Sequence, residues 1–159
     1  MKQPLLALAV ISTLGYGGYR MIGSSDPAPA DSEQLVLDRI WIDHIPATDT
    51  DTVQIFMAIT DEPLGAFQAA SQWRLALEIF RYERHGDELR AHFPQTGERE
   101  TVTTKARRCS EGTMDFCLEL DGGSRGVKRY YSRKGWELDG IKTPAELEAR
   151  SAAVRASLR

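Results

Sequence analysis

The chain is predicted to be all-β: an antiparallel up-and-down barrel or strongly curled meander of eight or nine strands, with one C-terminal surface helix. Three observations predict it. Residues 73–93 hold two long strand-like runs folded back across Gly86-Asp87, a pair suited to a tight two-residue hairpin. Trp73, Leu75, Leu77 and Ile79 fall on odd positions, whereas Phe80 and Tyr82 fall on even ones, so an inward face that changes at Ile79-Phe80 implies a β-bulge or sharp bend of the kind curled sheets use. The remaining apolar runs are short and separated by turn residues.

Taken in order, residues 1–22 read as an export element. A basic start at Lys2 leads into the apolar run LLALAVISTL, the layout of a signal peptide, and the stretch from Pro4 to Ile22 is near the roughly 20 residues that a membrane anchor needs. Both readings deliver the chain across a membrane. Residues 23–34, GSSDPAPADSEQ, form a linker stiffened by Pro27 and Pro29. The folded domain is expected over residues 35–140, with the helix over residues 141–159.

A first strand spans residues 35–45, with Arg39, Trp41 and Asp43 on one face and Ile40, Ile42 and His44 on the other. VQIFMAIT from Val53 makes the second, and residues 66–72 a third strand or an irregular lead-in. In the central hairpin, the two-residue loop places Arg84 opposite Leu89, Tyr82 opposite Ala91 and Phe80 opposite Phe93, so apolar residues meet on one face. Along residues 99–109, Val102 and Ala106 are the inward candidates. Pairing Cys109 with Cys117 sets Ala106 opposite Leu120 and collects apolar residues, which supports a cross-strand disulfide worth roughly 2–3 kcal/mol in an oxidising compartment. Residues 127–131 and 136–138 are expected to form a last hairpin, and Thr143, Pro144 and Glu146 make a capping box ahead of the thin stripe Leu147, Val154, Leu158.

Charge is small overall but uneven. The net value is −3, yet residues 31–62 carry eight acidic groups against Arg39 alone, while residues 105–134 carry eight basic against four acidic. Catalytic and metal patterns are not spelled out. His44 follows Asp43, but neighbours in a strand point to opposite faces, and no Gly-x-Ser-x-Gly elbow occurs. Asp49, Asp51, Asp61 and Glu62 lack EF-hand spacing, and two cysteines do not make a zinc site. No enzyme activity, metal or cofactor is therefore expected.

The stretch RGVKRYYSRKGW interleaves Arg125, Lys128, Arg129, Arg133 and Lys134 with Tyr130, Tyr131 and Trp136. Such a hairpin can present a surface to a protein, an anionic lipid head group or a cell-wall polymer; the same pattern also fits aromatics turned inward with arginines in water. An exported chain rarely meets nucleic acid, so none is expected as a partner. The strand order, the early Trp41 and the closing KRYYSRKGW resemble small lipocalin-like barrels and uncharacterised secreted or envelope proteins of Gram-negative bacteria, over residues 35–138. The lipocalin Gly-x-Trp is missing, since Arg39-Ile40 precede Trp41, and no ligand residue carries over.

The functional expectation is a barrel that holds an apolar or amphipathic, lipid-like ligand, with Trp41, Trp73, Phe80 and Tyr82 as wall residues because they supply large apolar faces on bent strands. The same four residues also suit a solid core. The alternative is an envelope adaptor that meets a protein partner through residues 125–136. In both, the expected location is extracytoplasmic: in the periplasm, anchored to the inner membrane, or secreted.

Overall fold

The computed structural model describes residues 35–72, 74–123 and 125–158. The export element, the linker and Trp73 lie outside the described residues. Eight strands, each antiparallel to its neighbours, close into a barrel in sequence order. They are β1 (Arg39–Ile42), β2 (Val53–Ile59), β3 (Leu64–Ala70), β4 (Leu75–His85), β5 (Glu88–His92), β6 (Arg99–Glu111), β7 (Met114–Asp121) and β8 (Arg129–Ser132). A helix, α1 (Pro144–Ala156), follows.

Two apolar clusters explain why β1 and β2 are buried on both faces. Inside the barrel lie Trp41, Phe56, Phe80, Tyr82, Leu89, Phe93, Leu118 and Tyr130, with Phe67 against them. The other face of β1 and β2 carries Ile40, Ile42, Val53, Ile55, Met57 and Ile59, which pack with Trp136, Leu138, Leu147 and Val154. So α1 lies against the outside of the barrel, and its buried stripe includes Ser151, which donates to Gln68 of β3. Burying Leu147 and Val154 stabilises this contact by about 1.5–3 kcal/mol each. The expected capping box is present: Thr143 Oγ1 accepts from the Glu146 amide, and the Glu146 carboxylate accepts from the Thr143 amide.

The central hairpin has the expected register, with Tyr82 opposite Ala91 and Arg84 opposite Leu89. Gly86 adopts φ of 59°, the left-handed conformation this short turn requires. The expected bend at Ile79-Phe80 is not found: β4 pairs with β3 in unbroken register from Leu75 to Arg81. Leu75, Leu77 and Ile79 simply stay on the outer face, where Leu77 borders the helix-covered cluster and Leu75 is 52% exposed. Apolar side chains on alternating faces had the look of a single face switching sides.

Two other pairings differ from expectation. Arg107, not Cys109, lies opposite Cys117, and Ala106 lies opposite Leu118, a shift of two residues. A shift of two keeps every side chain on its own face, so the apolar pattern does not distinguish the registers. An extra residue in β6 between Arg108 and Glu111 then displaces Cys109, and the Cys109–Cys117 disulfide forms across that bulge. Residues 136–138 do not fold back on β8. They carry on along the same edge of β1, with Glu137 bridging Arg39, Ile40 N donating to Trp136 O and Leu138 N donating to Asp38 O. The turn at 133–135 is thus an interruption in the strand that closes the barrel.

Candidate functional site

One end of the barrel is closed by apolar packing. Trp41 donates from Nε1 to the Val36 carbonyl at 3.0 Å, and Val36 is buried with it in the interior cluster. Nearby, Arg39 spans Phe116 at 4.0 Å, pairs with Glu137 and donates to the Arg133 carbonyl. Tyr82 donates to the buried Ile59 carbonyl at 2.7 Å, and burial raises its hydroxyl pKa to about 12.

At the other end a charged side chain covers the interior, beside Val127 of the same loop. Arg125 comes from the β7–β8 loop, between Gly122-Gly123 and Gly126, and its guanidinium enters the mouth. There it lies 4.2 Å from the Phe93 ring centroid and 4.9 Å from that of Phe67. Its Nη1 pairs with Glu100 Oε1 at 2.6 Å, its Nη2 with Glu78 Oε2 at 2.7 Å, and its Nε also donates to Glu78. Strand alternation makes this possible: Glu78 is paired with Phe67 across β3–β4, and Glu78 and Phe80 share the inward side of β4. Glu100 opens the inward series of β6 ahead of Val102.

Two carboxylates, Glu78 and Glu100, face the Arg125 guanidinium, and Arg74 lines the same groove as Glu78. Glu100 is only 13% exposed, and its Oε2 has no hydrogen-bond partner among the described residues. Tyr130 is fully buried and its hydroxyl likewise lacks a partner there. Burial raises the pKa of Tyr130 strongly, Asp43 adds to the rise and Arg125 opposes it. Beside Arg125 runs a groove of about 170 Å³ lined by Gln54, Phe67, Arg74 and Glu78. Below it, Phe80 touches both mouth phenylalanines, with ring centroids 5.4 Å from each.

The expected wall residues Trp41, Phe80 and Tyr82 all face the interior, and Phe80 and Tyr82 belong to a run of aromatic contacts that also takes in Phe56, Phe67 and Phe93. The residues of 125–136 are distributed rather than gathered. Arg125 is in the mouth and Tyr130 is inside the barrel; Trp136 is buried on the outer side toward α1, with Arg133 over its ring at 4.8 Å. Tyr131 is half-buried on that outer side, and Lys128, Arg129 and Lys134 are exposed. Glu78, Glu100, Phe67 and Phe93 were not singled out from the sequence. The signal available was the pair of acids at inward positions two residues ahead of Phe80 on β4 and Val102 on β6.

The Asp43-His44 pair is closer than strand alternation implies, because β1 ends at Ile42. His44 Nδ1 lies 2.9 Å from Asp43 and Nε2 lies 3.2 Å from Asp51, so both ring nitrogens are held by carboxylates. Burial pushes the Asp43 carboxyl up, while the Ala47 amide leads the groups that hold Asp51 down. Among the described residues, no group of three His, Cys, Asp or Glu is placed to hold a metal ion. Also among them, no helix is long and apolar enough to cross a membrane.

No family model, curated protein or solved structure matches the chain. The likeness to lipocalin-like proteins is therefore supported only by the closed eight-strand antiparallel barrel itself. The disulfide suits an oxidising, extracytoplasmic setting.

Proposed function

We propose that this chain is a ligand-binding barrel of the bacterial envelope, exported to the periplasmic side of the inner membrane, and that an apolar or amphipathic ligand enters at the Arg125 mouth. The observation that carries the reading is the difference between the two ends. One end is sealed by packing around Val36 and Trp41, whereas the other is covered by an ion-paired arginine, with Val127 beside it, on a glycine-containing loop. Phe67, Phe80 and Phe93 supply the apolar surface beneath that arginine. Trp41 and Tyr82 then act as the deeper wall behind Phe80. The adaptor reading gains less support, because Tyr130 and Trp136 are buried and residues 125–136 present no single aromatic surface.

The test is native mass spectrometry on the protein recovered from a periplasm, compared with its denatured mass. A bound species of lipid-like mass that is lost on denaturation is the expected result. A bare mass, combined with no chemical-shift change at the mouth residues on titration with a periplasmic lipid extract, would overturn the reading.

A further inference from the structure

We propose that the mouth is a recognition site for a cationic head group, a guanidinium or a primary ammonium, and that Arg125 is its intramolecular stand-in. The inference rests on the ligand-binding reading above and specifies the chemistry at the polar end of the ligand.

The surroundings of Arg125 are those a cation selects. Two aromatic faces lie at 4.2 and 4.9 Å from the guanidinium carbon, and two carboxylates approach within 2.7 Å. An anionic ligand would have to enter against Glu78 and Glu100. A neutral ligand would leave both carboxylates unpaired once Arg125 moved, at a substantial desolvation penalty for Glu100. A cation that takes the place of Arg125 renews the same contacts, so the exchange is close to balanced.

Arg125 also leaves part of the site unused. Glu100 Oε2, on the carboxylate that meets Arg125 Nη1, has no partner among the described residues. A ligand with further N–H donors can satisfy an oxygen that a tethered guanidinium does not reach. The loop that carries Arg125 is held by Val127, packed against the interior cluster, and by the Lys128 carbonyl, which accepts from the Leu120 amide. Gln54 Nε2 meets the Arg125 carbonyl at 3.5 Å, and an added Cβ at Gly126, where φ is +77°, would meet nothing within 4 Å.

The experiment is calorimetric titration of agmatine, which carries both a guanidinium and an ammonium, into the full chain as exported by its host. Arg125→Ser empties the site and should bind agmatine about tenfold or more tightly than the wild type, where the internal guanidinium competes. Adding Glu100→Gln should abolish that gain. A folded Arg125→Ser protein that does not bind agmatine overturns the proposal. Should this variant not fold, the wild type answers instead, through the Arg125 Nε resonance in ¹⁵N spectra. Millimolar agmatine should move it toward the free-arginine position, and a shift no larger than that caused by sodium chloride of equal ionic strength overturns the proposal. A neutral or anionic species retained in native mass spectra, together with no agmatine binding, removes the cationic specificity and leaves the ligand-binding barrel standing. A bare mass together with no agmatine binding removes both.

Discussion

Gly65 is directly opposite Phe80 on the inner face of the β3–β4 pair, and the Phe80 ring lies where a side chain would be. A Cβ there would sit 2.2 Å from Phe80 Cζ and 2.8 Å from the Met57 carbonyl oxygen. The backbone carbonyl cannot move without breaking the β2–β3 pairing, so the ring would have to leave its contacts with Phe67 and Phe93. Gly65→Ala is expected to destabilise the fold by about 1–3 kcal/mol, read as a lower urea midpoint with an unchanged m-value. The two interior tyrosines make a contrast at the same scale. Tyr82→Phe removes a bond to the Ile59 carbonyl and should cost about 1 kcal/mol by the same measurement, whereas the Tyr130 hydroxyl has no partner to lose among the described residues. The Tyr82 pKa also predicts an alkaline limit. The folded value, about 12, lies above the ordinary 10.0, so its contribution is whole below pH 10.0 and lost as pH rises through about 12. Tyr82→Phe should remove that part of the alkaline destabilisation, seen by comparing urea midpoints across this range. Side-chain direction from Phe80 through β5 could be read from the sequence, but the outward face of Leu75, Leu77 and Ile79 and the role of Gly65 could not. Gly65 follows Pro63-Leu64 in what reads as a turn, and only its pairing with Phe80 shows why a glycine stands there.

Registers show where local information ends. The β4–β5 register is set by a two-residue loop, and any one-residue slip would bring charged residues inward, so chemistry and pattern agree. The β6–β7 register is set by a bulge near the turn, and a two-residue slip leaves Val102, Ala106 and Leu118 facing the same way. Pairing the cysteines directly was therefore consistent with the pattern yet displaced by two residues. The closing segment 136–138 was harder still. Its partner is β1, almost a hundred residues earlier in the chain, and nothing local to Trp136 identifies that edge. Hence the aromatics of 125–136 alternate as a strand should, but their burial is decided elsewhere: Tyr130 by the barrel interior and Trp136 by the helix-covered outer cluster. The disulfide locks the bulged end of the β6–β7 hairpin. Replacing both Cys109 and Cys117 by serine should lower stability by roughly 2–3 kcal/mol, and dithiothreitol should lower the urea midpoint of the wild type but not of the double variant.

At the scale of the whole molecule, the strands are joined by short connections between sequence neighbours, except at the seam where β8 returns to β1. Each internal pair of strands has a run of consecutive partners, but β1 meets β8 through Ile42 and Tyr131 alone, supplemented by the Arg39–Glu137 bridge after an interruption. This seam is held instead by side chains and by the outer layer. Arg39 ties Glu137 and the Arg133 carbonyl, Arg150 of α1 donates to the carbonyls of Gly135 and Glu137, and Trp136 and Leu138 pack with Leu147 and Val154. The helix is thus part of what keeps the barrel closed, and loosening it should open the seam before the rest. Native-state hydrogen exchange tests this directly through two amides that cross the seam, Ile40 to the Trp136 carbonyl and Leu138 to the Asp38 carbonyl. Both should exchange through an opening of lower free energy than Leu118 and Leu120 in β7. Arg150→Ala should lower the seam value further while leaving β7 unchanged, because it removes the helix's polar grip without touching the barrel interior. If Ile40, Leu138, Leu118 and Leu120 all exchange only by global unfolding, the seam is as cooperative as the rest and α1 has no separate closing role. A seam that opens alone would also place the barrel's most labile joint at the packed end, where Arg39 sits over Phe116, far from Arg125. Ligand exchange at the mouth would then proceed by loop displacement, without parting the strands.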